Sequence, residues 1–93
     1  MKKVDFHAEL RKQILSVCKI EHLTIKDCKE ISEKIFVRDR NYLSENTIKR
    51  FFGFTNLPVL FSPFVLDSLS HFAGFKDWDD FLNQKQAQLN TYI

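Results

Sequence analysis

Apolar positions recur at helical spacing along most of this chain, and the polar positions between them carry start and stop signals. Phe6, Leu10, Ile14, Val17 and Cys18 form a stripe that predicts a helix over about residues 5–19, with His7, Glu9, Arg11 and Lys12 facing outward. Thr24 and Asp27 make a T-x-x-D capping pair ahead of a second helix over about 25–36. Its inner face is Ile25, Cys28, Ile31 and Ile35, and its wet face is Lys26, Lys29, Glu30, Glu33 and Lys34. Ser44 caps a third helix over about 45–52, and Gly53 ends it. On that helix Ile48, Phe51 and Phe52 share one face, and Asn46, Lys49 and Arg50 share the other. Ser62-Pro63 opens a fourth helix, whose stripe is Val65, Leu66, Leu69, Phe72 and Ala73 and whose stop is Gly74. Asp77 caps a fifth, with Asp80 three residues on and Trp78, Phe81 and Leu82 pointing inward.

Two connections stand out. Residues 37–43 (VRDRNYL) read as the link to the third helix, with Arg38 and Arg40 free to point at solvent. Residues 54–61 are apolar for a loop, so Leu57, Val59, Leu60 and Phe61 either cover the core or seat a partner. The expected fold is all-α: a single four- or five-helix domain spanning 1–93, with its core over about 5–83 and a polar tail at 84–93. Ten Phe supply much of the core, and two Gly and two Pro argue against a turn-rich β-sandwich.

Composition narrows the function classes. Cys18 and Cys28 both fall on apolar faces and read as buried, reduced thiols. No apolar signal region follows the MKK start, and no run approaches the ~20 apolar residues of a membrane span, so a soluble cytoplasmic protein is expected. His7, His22 and His71 share no metal-ligand spacing with each other or with the cysteines. Asp79 and Asp80 are adjacent and do not face each other on a helix. Ser68, Ser70 and His71 form no nucleophile–base set. The chain is therefore expected not to be an enzyme, and no metal or cofactor is expected.

Charge is more informative in its distribution than in its total. Net charge is +2, but residues 1–50 hold twelve Lys/Arg against eight Asp/Glu, and residues 51–93 hold two against four. Segment 34–50 concentrates Lys34, Arg38, Arg40, Lys49 and Arg50 against Asp39 and Glu45. A short helix with a buried apolar face and an exposed Asn/Lys/Arg face has the chemistry of a DNA-recognition helix. Asn46 suits adenine, and Lys49 and Arg50 suit guanine. Lys26, Lys34, Arg38 and Arg40 can neutralise backbone phosphates, which gives affinity without sequence information. Ser44 sits where a helix start approaches a phosphate, although a plain cap accounts for it better. A solvated surface helix would show the same outward face.

The strings LTIKDCKEIS, LSENTIKRFFGF and SPFVLDSLSHFAGFKDWDDFL together resemble the phage-repressor-like helix-turn-helix domains. In that family a Leu-Thr pair opens helix 2, a Ser/Thr-rich start opens the recognition helix, and an apolar-Gly-apolar step precedes a short acidic-capped helix. Leu23-Thr24, Ser44 and Ala73-Gly74-Phe75 before Asp77 match those features. TIKRFFGF and GFKDWDDFL look like the variant common at the start of proteins from Bacteroidetes-type bacteria. The resemblance covers about residues 10–83. It implies a bacterial transcription regulator that lays helix 44–52 in the major groove of double-stranded DNA, as a homodimer, since one short helix reads few base pairs. The 37–43 link is longer than the strict helix-turn-helix turn.

The rival expectation is a protein–protein interaction module, an adaptor within a larger protein or assembly, that binds through the apolar 54–61 loop. Low net charge, the long link and that loop favour it.

Overall fold

The computed structural model describes residues 4–55 and 60–90, the last two as backbone only. Five helices account for the regular structure of these residues: α1 (Phe6–Cys18), α2 (Asp27–Asp39), α3 (Glu45–Phe51), α4 (Pro63–Phe72) and α5 (Trp78–Asn90). The all-helical expectation holds, and most helix starts follow from local chemistry. The Asp5 carboxylate accepts from the Ala8 N–H at 3.1 Å, and the Ser44 and Ser62 hydroxyls accept from Thr47 N–H and Val65 N–H at 3.1 and 3.3 Å. Pro63 occupies the first turn of α4, where its missing N–H costs nothing. Before α5, Asp77 accepts from the Asp80 N–H (2.8 Å) while Asp80 reaches back to the Lys76 N–H (2.9 Å).

The helices enclose one apolar core. α2 packs on α3 and α4, and α4 packs also on α1 and α5. Leu10, Ile14, Cys28, Ile31, Ile35, Leu43, Ile48, Phe51, Leu69, Phe72, Ala73 and Phe81 are buried within it. Each of the larger side chains contributes about 1.5–3 kcal/mol by leaving water. α4 is the helix most enclosed by neighbours, and it buries Ser68 and Ser70 beside Leu69 and Phe72. Cys28 is fully buried and Cys18 half-buried; both thiols are free, and burial pushes their pKa up.

Several expectations require correction. α2 begins two residues later than the periodicity predicts. Asp27 accepts from both the Thr24 N–H (2.8 Å) and the Thr24 hydroxyl (3.1 Å), while its own N–H donates to the Thr24 carbonyl (3.0 Å). That closes a turn ahead of the helix and leaves Ile25 outside, 49% exposed, instead of on the inner face. α2 also runs on through Val37, Arg38 and Asp39, because no breaker lies there, and it ends at Arg40 in the left-handed region. The link to α3 thus shortens to 40–44. Val17 lies at the rim of the core instead of within it.

His7 and Arg11 turn inward. The His7 ring lies 5.6–5.9 Å from the rings of Phe51, Phe61 and Trp78. Arg11 Nη1 donates to the Phe51 carbonyl at 3.0 Å. Trp78 is half-buried at the core margin, with its ring stacked on Phe81 at 5.5 Å. Leu57 and Val59 lie outside the described residues; Leu60 is fully exposed, and Phe61 packs on Phe51 at 5.3 Å.

Candidate nucleic-acid interface

α3 is short, so what holds it is tertiary. A seven-residue helix has too few internal hydrogen bonds to persist alone. Ile48 and Phe51, three positions apart, are buried against the core and fix its roll. Leu43, just before it, is buried too, and its carbonyl accepts a hydrogen bond from the buried Ser32 hydroxyl of α2. At the other end, Arg11 from α1 caps the Phe51 carbonyl and lies 5.6 Å from the Phe51 ring centre. Gly53 closes the helix at φ +82°, with its N–H on the Arg50 carbonyl and the Phe54 N–H on the Lys49 carbonyl.

With the roll fixed, the opposite face is determined. Asn46 and Arg50, one turn apart, are both exposed. Arg50 Nη2 donates to Thr47 Oγ1 at 3.2 Å, which leaves most of its donor fork open. Lys49 is half-buried and bridges Glu45 at 2.8 Å; the hydrogen bond from Lys49 holds the Glu45 carboxyl below the usual carboxylate range. Lys49 thus lies on the Asn46–Arg50 side but is already neutralised. Ser44 is spent as a cap, with its oxygen also 2.9 Å from Thr47 Oγ1.

The expected phosphate-binding residues separate into two groups. Lys26 is exposed in the turn before α2. Lys29, not singled out from the sequence, is exposed one turn further along and near enough to lower the pKa of Glu45 at the α3 start. Its only sequence signal is its place on the wet face of α2. Lys34 and Arg38 turn the other way. They line a groove with Val17 of α1 and Phe72 of α4, where Lys34 is 3.5 Å from Glu30. Arg38, expected to point freely at solvent, instead donates through Nη2 to the carbonyls of Phe72 (2.7 Å) and His71 (3.2 Å), and its guanidinium lies 4.6 Å from the Phe72 ring centre. Arg40 is exposed just past α2, 5.9 Å from the Phe36 ring centre.

Asp39 completes the Arg38 cluster. Its side chain is 5% exposed, with Oδ1 accepting from Arg38 Nε at 3.2 Å and Oδ2 3.1 Å from His71 Nδ1. Among the described residues no group of three His, Cys, Asp or Glu side chains could hold a metal ion. No described helix is long and apolar enough to cross a membrane. No family model matches the chain, and no curated protein or solved structure is significantly similar to it.

Proposed function

We propose that this chain is a DNA-binding module resembling repressor-type helix-turn-helix regulators, with α3 entering the major groove. The observation that carries the reading is the polarity of α3. Its apolar face is pinned by Ile48 and Phe51, and Asn46 and Arg50 stand exposed on the other side. The corrected link of five residues, 40–44, is nearer to a helix-turn-helix turn than the sequence pattern indicated. Asn46 and Arg50 take the base-reading roles, with Lys49 as an accessory once its bridge to Glu45 opens. Lys26 and Lys29, which have no ion-pair partner among the described residues, take phosphates beside α3. Lys34 and Arg38 are already engaged elsewhere in the fold and contribute at most to the long-range field.

Fluorescence anisotropy against random and selected duplexes over a salt series tests this. Asn46→Ala and Arg50→Ala should cost about 1–3 kcal/mol on the preferred duplex and leave random duplex nearly unaffected. Lys26→Ala and Lys29→Ala should weaken every duplex alike, each reducing the salt slope by roughly one. A second reading, a protein-interaction module, draws support from Leu60, Phe54 and Phe64, which are 100%, 38% and 54% exposed around the 54–61 segment. It takes over if the parent chain shows no salt-dependent duplex binding.

A further inference from the structure

The outer face of α2 carries a patch that neither the core nor the α3 surface uses. Val37 is 70% exposed on the side of α2 opposite its buried residues, with Phe36 at 44% beside it and Tyr42 at 68% in the link. Ser32, Glu33, Phe36, Val37 and Tyr42 line an open groove of about 490 Å³ there. A contiguous exposed apolar patch rimmed by charge is the usual mark of a protein contact.

The charges on the rim identify the occupant. Glu33 and Arg40 are both exposed, and neither has an ion-pair partner among the described residues. Glu33 lies one turn before Phe36 and Val37 on α2, and Arg40 follows the helix end with its guanidinium 5.9 Å from the Phe36 ring centre, so the two charges border opposite ends of the same patch. A two-fold axis perpendicular to two antiparallel helices brings like flanks together and reverses their direction. Any register centred between Phe36 and Val37 therefore sets Glu33 of one copy against Arg40 of the other, twice. It also lays the Phe36–Val37 pair of each copy on that of its neighbour. Such a contact is isologous: one patch, complementary to itself.

We infer that a second copy of this chain docks on the outer face of α2, in an antiparallel two-fold pairing centred on Phe36 and Val37 and closed by reciprocal Glu33–Arg40 ion pairs. The pairing does not depend on DNA binding. It commits Arg40 to the second copy and leaves phosphate contacts to Lys26 and Lys29. It also leaves the Asn46–Arg50 face of each copy uncovered.

Sedimentation equilibrium of the 93-residue chain without DNA, from micromolar to millimolar concentration, tests the pairing. The parent should show a reversible monomer–dimer equilibrium. Glu33→Arg and Arg40→Glu should each weaken the dimer several-fold by placing like charges opposite each other, and the double variant E33R/R40E should recover most of the loss. Val37→Glu should be monomeric throughout. All these positions are exposed, so each variant should keep the parent's circular dichroism spectrum, and its melting curve at concentrations where the parent is monomeric. A parent that stays monomeric leaves the face to another protein and overturns the proposal. So does a Val37→Glu variant that still dimerises, or a double variant no better than either single reversal.

Discussion

Arg38 closes the end of α4: its Nη2 lies 2.7 Å from the Phe72 carbonyl, and its guanidinium stacks over the Phe72 ring. The last carbonyls of a helix have no partner within it and carry the negative end of its dipole. A cation from α2 supplies both hydrogen bonds and charge there, and so ties α2, which packs on α3, to α4.

Arg38→Ala should therefore lower stability by about 1–3 kcal/mol in urea melts, since it removes charge-assisted hydrogen bonds and a stacked contact. Arg38→Lys should recover only part of this, because an ammonium cannot stack or span two carbonyls as a planar fork does. A change below about 0.3 kcal/mol for Arg38→Ala would show the contact to be idle.

Gly53 and Gly74 end α3 and α4 at φ +82° and +105°, and a Cβ at either position would meet nothing within 4 Å. The cost of Gly→Ala is then purely that of the backbone, about 1 kcal/mol at each site. Additive losses in the double variant would match two independent caps, while unchanged melts would mean that the helix ends relax freely.

Acid should weaken the start of α5. The Lys76 N–H, and then the Gln84 amide, bond the ionised Asp80 carboxylate and hold its pKa below the ordinary carboxylate value. With the folded pKa below the unfolded one, this contribution is present above the unfolded pKa and is lost as pH falls through the folded pKa. Asp80→Asn should be less stable than the parent at neutral pH, and the gap should narrow as pH falls below the ordinary carboxylate range. A gap unchanged by pH would contradict that assignment.

What was legible in the sequence was what is local. Ser44, Ser62 and Asp77 each cap through an N–H three residues on, so a few letters reveal the start of α3, α4 and α5. The apolar face of α3 follows from the spacing of Ile48 and Phe51. The α2 boundaries were not legible, because Thr24–Asp27 forms a turn before the helix and nothing in VRD signals a stop. Arg38 and Lys34 are near α3 only along the chain. Helix geometry turns them to the α1–α4 side, and it puts Lys29 near α3. Arg11 and Ser32, which hold α3 from both ends, reach across 40 and 11 positions, and no local pattern announces such contacts.

The proposed DNA contact is made by α3 and the start of α2. The most direct measurement is an amide ¹⁵N–¹H titration of the parent with a short duplex at about 50 mM salt, where phosphate contacts are not yet competed away. The largest shifts should fall in residues 26–29 and 44–50, with the 33–42 segment, which carries the Phe36–Val37 patch, little changed. Shifts confined to 33–42, or no shifts at all, would contradict that contact.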